Sequence, residues 1–291
     1  MKILSFGEII WDVYPGEKHI GGAPFNFAAH AKRAGAEAFL ISAVGNDLLG
    51  KEALENVKSY GVNGEYVCSV KDIPTGMCNV NLDIKGIPTY AIADISAYDF
   101  IGLPNEICRK FDALAFGTLA LRKEHNRGVV DKLLRMCSFK QVFVDINVRA
   151  PFDYAESIIF ALKRATLLKV SDEELPLMMA RIGESYVNIA ESVNLIGKHF
   201  ENIEKILVTR GSEPAVLYDF RTQGRYECPA KKVEVVSTVG AGDCYGAVFL
   251  VNYLSDKPID TCMRKAAEAA AFVVSHAEAI PDNKDSYFYY K

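Results

Sequence analysis

The stretch Val235-Val236-Ser237-Thr238-Val239-Gly240-Ala241-Gly242-Asp243-Cys244-Tyr245-Gly246-Ala247-Val248-Phe249-Leu250 joins three local patterns. A β-branched run leads in, a Gly-Ala-Gly turn follows, and an apolar segment of helical character leads out, with the carboxylate of Asp243 at the junction. N–H groups at a helix start have no intrahelical partners and the helix dipole makes that end electropositive, so a phosphoryl group would bind there. The alternative is a tight turn in which Asp243 is an ordinary first-turn helix acid.

The length and composition indicate a folded α/β protein. Its 291 residues exceed the usual size of one domain, but α/β folds often reach this length as a single unit, so residues 1–291 are predicted to form one large core with a small appendage. The formal net charge of -4 argues against a nucleic-acid partner, which would need a basic face.

The cysteines and the N-terminus predict a cytoplasmic location. The 7 cysteines are scattered without a Cys-x-x-Cys pair, which fits neither a disulfide framework nor a zinc site and suits a reducing cytosol. The apolar run at residues 1–7 is too short for a signal-peptide core or a membrane span, so no membrane partner is expected and the run is predicted to form a first buried strand.

Strand-like and helix-like segments alternate along the chain, the pattern of a mostly parallel sheet covered by helices. The predicted strands span residues 2–6, 38–44, 112–116, 141–146, 165–170 and 205–209. The predicted helices span residues 25–34, 48–60, 126–136, 154–163 and 184–200. Residues 78–84 break this pattern because apolar and polar side chains alternate there, and with residues 89–93 they predict a hairpin with one solvated face. The hairpin would be a flap over a site, an edge that pairs with another subunit, or a mere structural extension.

One glycine-rich segment imitates a phosphate-binding loop. Residues 45–51 have the Gly-x4-Gly-Lys spacing of a Walker A loop, but Glu52 follows where a Ser or Thr should bind magnesium. A carboxylate there would repel phosphates, so Asp47 is better interpreted as a helix N-cap.

A second glycine-rich segment suits polyhydroxyl ligands. Gly21 and Gly22 allow a ligand to approach the backbone closely, and Asn26 can donate to and accept from hydroxyl groups. Asp12, just past the first strand, offers a carboxylate that could accept bonds from neighbouring hydroxyls, unless it is simply a surface-turn Asp.

Together these segments resemble the ribokinase-like (PfkB) carbohydrate kinases, most closely the fructokinases. The glycines and Asn26 of residues 21–26, with Ala28, Gly35 and Gly45, look like the family's first signature, and residues 237–243 look like its second. The resemblance covers essentially the whole chain. It implies a three-layer α/β/α core with a mostly parallel sheet and a small β lid, here formed by roughly residues 10–20 and 75–99.

The resemblance also implies a reaction, the transfer of the ATP γ-phosphate to a sugar hydroxyl. Asp243 would be the base that takes the hydroxyl proton, and the backbone of residues 239–242 would form the anion hole. In phosphoryl transfer the protein mainly aligns the reacting groups and neutralises negative charge, so one base would suffice for the hydroxyl proton. The anion-hole residues by name are Val239, Gly240, Ala241 and Gly242, and the sugar-binding positions are Asp12, Gly22 and Asn26.

The resemblance also implies roles for further residues of this chain. Residues 169–174 resemble the family's Asn-x-x-Glu motif, so Glu174 would help to hold Mg²⁺ through water, although Ser171 replaces the Asn and the pair could equally form a capping box. The positions expected to contact the nucleotide are Lys169, Thr209, Gly211 and His276. The helix C-terminal position of His276 is an alternative explanation for that residue.

The remaining predictions concern the positions where the chain departs from the family pattern and the molecule that accepts the phosphate. Ser237 replaces the Asp that in relatives helps to form a potassium site, which leaves K⁺ activation open. Residues 145–149 resemble fructokinases, and Arg149 would meet an anionic sugar or phosphates, or else form a surface ion pair. Fructose is the expected sugar; a nucleoside, a sugar phosphate or a 2-keto-3-deoxy sugar acid is the alternative. A dinucleotide-binding oxidoreductase is the alternative of another class, although the required Gly-x-Gly-x-x-Gly is missing. An unpaired lid edge would permit a homodimer through the lid.

Overall fold

The computed structural model describes residues 1–14, 16–82, 88–148 and 151–281. Two sheets are present, a nine-stranded sheet with strand order β13-β12-β11-β10-β9-β8-β1-β4-β5 and a four-stranded sheet with order β3-β2-β6-β7. In chain order the strands are β1 (Lys2–Phe6), β2 (Ile10–Tyr14), β3 (Glu17–Gly21), β4 (Glu37–Gly45), β5 (Asn63–Val70), β6 (Gly76–Leu82), β7 (Pro88–Ile92), β8 (Lys110–Gly117), β9 (Ser138–Asp145), β10 (Leu167–Ser171), β11 (Lys205–Arg210), β12 (Glu213–Asp219) and β13 (Gly224–Cys228).

Helices cover both faces of the large sheet. In chain order they are α1 (Ala23–Arg33), α2 (Leu48–Ser59), α3 (Glu124–Met136), α4 (Ala155–Leu162), α5 (Leu175–Arg181), α6 (Ile189–His199), α7 (Ala241–Tyr253) and α8 (Ile259–Val274). Strands β5, β4, β1, β8, β9, β10 and β11 are mutually parallel. Only β12 and β13 join the described part of this sheet antiparallel, at one edge. The predicted strands and helices thus correspond to elements of the structure, and the mostly parallel sheet is confirmed.

The hydrophobic core lies in two layers on either side of this sheet. Leu4 and Phe6 of β1 pack into the layer covered by α3 to α6, whereas Ile3 packs into the layer covered by α1, α2, α7 and α8. Successive side chains of a strand point to opposite faces, so a strand buried on both faces reads as a continuous apolar run. The predicted three-layer α/β/α core is therefore confirmed.

The small sheet unites the two segments predicted as a lid. Strand β2 pairs antiparallel with β3 and parallel with β6, and β6 pairs antiparallel with β7. The hairpin predicted from the alternating residues is therefore present, while its turn at residues 83–87 lies outside the described residues. Asp12 lies inside β2 and not in a surface turn.

The helix start at Asp47 agrees with the N-cap interpretation of the false Walker loop. The Asp47 carboxylate accepts a bond from the Gly50 N–H at 2.7 Å and a second from the Thr75 hydroxyl at 2.6 Å. A carboxylate with these hydrogen bonds stabilises the first turn of α2, as expected of an N-cap and not of a phosphate-binding loop. Across the described residues, none of the helices is long and apolar enough to cross a membrane.

Candidate active site

A cleft of about 1360 Å³ lies where the carboxyl ends of the central strands face the small sheet. Ligands of α/β folds usually bind at this edge, because loops after parallel strands and helix N-termini converge there. Most of the predicted site residues line the cleft: Asp12, Gly22, Asn26, Lys169, Glu174, Thr209, Gly211, Val239, Gly240, Ala241, Gly242 and Asp243.

Asn26 and Asp243 bring the two sequence signatures into contact. The Asn26 amide Nδ2 donates to Asp243 Oδ2 at 2.9 Å, across a separation of 217 residues. Asn26 is only 4% exposed, and no described residue donates to its Oδ1. Because a carboxylate can only accept, the amide must point its NH₂ at Asp243 and its oxygen away from it, where that oxygen is buried without a donor among the described residues.

Glycines fix both helix starts at this point. Gly240 has φ 77° before α7, and a Cβ there would lie 2.7 Å from the backbone oxygen of Ala279. Gly22 has φ 104° before α1, and a Cβ there would lie 2.5 Å from the backbone oxygen of Glu8. Only glycine tolerates both the conformation and the contact. The two turns therefore place Asn26 and Asp243 in the first turns of their helices.

The α7 N-terminus has the properties of an anion site. No side chain caps this end, and Asp243 is its first-turn acid. The Val239 N–H donates to Ser237 Oγ and the Ala241 N–H to the Thr238 oxygen, both over 3.3 Å. These bonds are long, so a phosphoryl oxygen could replace them at little cost. The dipole and the uncapped backbone favour negative charge at this position.

Lys169 and Asp145 form a buried ion pair in the wall of the cleft. Lys169 Nζ lies 2.7 Å from Asp145 Oδ2, and the two residues are neighbours across β10 and β9. Burial alone would lower the pKa of Lys169, but the carboxylates of Asp145, Glu174 and Asp243 outweigh it and hold the pKa above its usual value. The cleft therefore contains a fixed positive charge beside the candidate base. No role for Asp145 was predicted from the sequence, although its position at the end of a buried strand is the signal that could have indicated one.

Glu174 is held by backbone groups. Its Oε1 accepts from the Val148 N–H at 2.8 Å and its Oε2 from the Ser171 N–H at 2.9 Å, while Ser171 Oγ accepts from the Glu174 N–H at 3.2 Å. The reciprocal bonds of the predicted capping box are thus present, just ahead of α5. Each oxygen keeps a lone pair, which suits a water-mediated contact with a metal ion.

The residues present fit a magnesium ion that arrives with phosphates. Among the described residues, no cluster of three or more His, Cys, Asp or Glu side chains could hold a metal by itself. Mg²⁺ commonly keeps several waters and binds through one or two carboxylates together with substrate phosphates. Glu174 in the cleft wall can supply such an outer contact.

The remaining predicted positions divide into two groups. Thr209 is the second-to-last residue of β11, and Gly211 follows this strand with φ 54°. Both line the cleft, as do small apolar residues of α8. His276 is not among the lining residues; its Nδ1 lies 2.7 Å from the Phe272 oxygen and its ring packs on Phe272. The geometry therefore does not support the predicted contact between His276 and the nucleotide. Arg149 lies outside the described residues.

Comparison with known proteins identifies the family. The model of the pfkB family carbohydrate kinases matches residues 3–286. The chain is 27% identical to "Probable fructokinase-5" of Arabidopsis thaliana over 293 residues, which covers 93% of this chain and 88% of that protein.

Solved structures share the fold. A fructokinase from Vibrio cholerae O395, in a form with fructose, ADP and calcium ion, superposes with a TM-score of 0.83 at 21% identity and covers 100% of this chain and 99% of its own. Aminoimidazole riboside kinase from Salmonella enterica superposes with a TM-score of 0.82 at 19% identity, with 100% of both chains covered. The family match also overturns the alternative of an oxidoreductase. With a family model matching nearly its whole length, the chain belongs to the pfkB family of carbohydrate kinases, and the prediction of a phosphotransferase is confirmed.

Proposed function

We propose that this kinase transfers the γ-phosphate of ATP to a hydroxyl group of a small free sugar, and that fructose is its preferred acceptor. The observation that carries the proposal is the 2.9 Å bond between Asn26 and Asp243 beside the uncapped start of α7. In this proposal the amide that binds the sugar hydroxyl, the carboxylate base and the anion site all lie within reach of one sugar molecule. The fructokinase names among relatives and solved neighbours support the choice of fructose.

The residues take the following roles in this proposal. Asp12, Gly22 and Asn26 bind the sugar, and Asp243 accepts the proton of the reacting hydroxyl as that oxygen attacks the γ-phosphorus. The backbone of residues 239–242 neutralises charge on the phosphoryl oxygens. Lys169, Thr209 and Gly211 contact the nucleotide, and Arg149 and His276 stay predictions. Glu174 would hold Mg²⁺ through water, and the ion would neutralise phosphate charge when bound.

Substitution of Asp243 tests the mechanism against the simpler interpretation as a first-turn helix acid. We expect Asp243→Ala to lower kcat by several orders of magnitude while the affinity for sugar is nearly kept, since the base acts only in the transition state. Asp260 is the matched control because it is the exposed first-turn acid of α8 and is not among the residues that line the cleft. If Asp243→Ala stays within about tenfold of the wild type in kcat, like Asp260→Ala, Asp243 is not the base.

An acceptor panel tests the substrate. ADP release from ATP is measured with fructose, ribose, fructose 6-phosphate, 2-keto-3-deoxygluconate and aminoimidazole riboside, the last because a structural neighbour is a riboside kinase. We expect fructose to give the highest kcat/KM. A nucleoside or acidic acceptor that exceeds fructose by about tenfold would reassign the substrate within the same family.

Two further properties belong to the proposal. We propose that potassium activates this kinase little, because Ser237 carries no charge and its Oγ accepts the Val239 N–H. Equal turnover in KCl and NaCl is the expected result; strong activation by KCl alone would refute it.

We also propose a homodimer through the small sheet, in which β3 and β7 form the two edges. Light scattering after gel filtration measures the mass, and a monomer at micromolar concentration would refute the dimer.

A further inference from the structure

The Lys169 ammonium lies against the first turn of α7. Gly242 has no side chain, and a Cβ built there would lie 3.2 Å from Lys169 Nζ. The ammonium thus reaches the residue that directly precedes the candidate base. Lys169 is 4% exposed although it lines the cleft, so its charge is shielded from bulk water and acts strongly on a group bound there.

Three carboxylates surround this one cation. Asp145 from β9 bonds to it directly, and Glu174 ahead of α5 and Asp243 of α7 act on it electrostatically. Asp243 accepts a bond from Asn26, and the ammonium donates to Asp145. An ammonium carries three N–H donors, and the bond to Asp145 uses one of them. The other two donors can meet phosphoryl oxygens bound in the cleft, which Lys169, Asp243 and Glu174 all line.

We propose that Lys169 binds the phosphoryl group during its transfer and that Asp145 is the positioning residue that holds the Lys169 ammonium beside Gly242. This inference deepens the proposed function and rests on it, because it requires the α7 end of the cleft to be the site of phosphoryl transfer. Lys169 is then more than a nucleotide contact: it stabilises negative charge on the group that moves. Asp145 fixes the ammonium before the reaction, so little reorganisation is needed during transfer.

Substitution of Lys169 measures this role. We expect Lys169→Met to lower kcat by about 10²- to 10³-fold, the usual cost of one fixed charge-stabilising donor, with the sugar KM within about threefold. Binding offers a second measurement by calorimetry. The variant should bind the analogue AMP-PNP at least about tenfold more weakly, with a much smaller loss of affinity for ADP, because only the former carries a γ-phosphoryl group.

Lys205 is the matched control. It is a buried lysine on the neighbouring strand β11, and its Nζ lies 3.2 Å from Asp219 Oδ2, but it stands at the opposite end of the sheet from the cleft. Lys205→Met therefore removes a comparable buried pair and should leave kcat and the ratio of the two nucleotide affinities within about twofold of the wild type. Equal effects of the two substitutions would overturn the proposal. If Lys169→Met does not fold, Lys169→Gln carries the same test.

Asp145→Asn tests the positioning role. Asn keeps the shape and an accepting oxygen but removes the charge that, with Glu174 and Asp243, raises the pKa of Lys169. A buried lysine that loses this support deprotonates more easily, so kcat of the variant should fall as pH rises above about 8, where wild-type kcat stays level. Parallel profiles for both proteins would refute the positioning role.

The outcomes for the proposal and for the proposed function are separable. Asp243→Ala without activity, together with a Lys169→Met variant that behaves like Lys205→Met, would refute only the inference about Lys169. Asp243→Ala with near wild-type turnover would refute the proposed mechanism itself.

Discussion

His30 provides a quantitative test of the packing behind the α7 turn. Its imidazole is completely buried in α1, and Nε2 lies 2.9 Å from the backbone oxygen of Ala279, the residue that contacts Gly240. Burial lowers the pKa of His30 to about 3; the bond to Ala279 opposes this effect and the charge of Arg33 adds to it. At neutral pH the neutral ring donates to the Ala279 oxygen and so holds Ala279 in place against Gly240 at the start of α7.

The magnitude follows from proton linkage. The unfolded chain binds a proton at His30 below its ordinary pKa of 6.5, whereas the folded chain binds one only near 3. Stability is therefore complete above pH 6.5 and declines as pH falls toward the folded pKa. Between pH 7 and pH 5 the linkage relation gives a loss of about 2 kcal/mol from this group, as the slope approaches about 1.4 kcal/mol per pH unit.

Urea unfolding of the wild type and of His30→Gln at the two pH values measures this loss. Gln can still donate to Ala279 but cannot titrate, so the wild type should lose about 2 kcal/mol more than the variant between pH 7 and pH 5. His19→Gln is the control because His19 is largely exposed, with 47% of its side chain accessible. If the stability difference between wild type and His30→Gln is the same at both pH values, His30 is not held neutral in the folded protein.

Three further substitutions probe other parts of the structure. Asp47→Ala should cost about 2 kcal/mol in urea unfolding through the lost cap, and this difference should shrink as pH falls through the depressed pKa of Asp47. Gly240→Ala should lower both Tm and kcat, whereas Gly183→Ala, at a similar φ of 83° but with no atom within 4 Å of the added Cβ, should lower Tm by a smaller amount. Arg122→Met leaves buried Asp99 without its two 2.7 Å bonds and should cost about 3–5 kcal/mol, while Arg122→Met with Asp99→Leu should cost less. Equal costs for the single and double changes would refute that reasoning.

Hydrophobic periodicity was sufficient to predict most of the large sheet and its helices. Strands such as β1, β4 and β8 are buried on both faces, so they stand out as continuous apolar runs between helices with one apolar face. The weaker elements escaped prediction because their burial is partial. Strands β12 and β13 lie at the antiparallel edge, where exposed and buried residues mix, and α5 has only 7 residues.

The β-branched residues before the Gly-Ala-Gly turn did not form a strand. Val235 and Val236 are exposed, and the segment runs irregularly along the rim of the cleft, where the Val236 N–H donates to the Val274 oxygen. β-branched side chains favour a strand only where a neighbouring strand and a buried face receive them. Which segments have such neighbours depends on the tertiary fold, and local composition does not contain that information.

The pair formed by Lys169 and Asp145 differs from the Asn26–Asp243 contact in how it could have been found. Asn26 and Asp243 were linked through two signatures of one family, whereas Lys169 and Asp145 meet because β9 and β10 are parallel neighbours with these two residues in register. Parallel strands bring their carboxyl ends to the same edge, so charged residues at the ends of adjacent buried strands must either pair or face a ligand. Strand order decides which of them are adjacent. Once that order is known, a buried lysine among the apolar residues of β10 can be paired with the carboxylate that ends β9, and this pair supports the proposed role of Lys169 toward the transferred phosphoryl group.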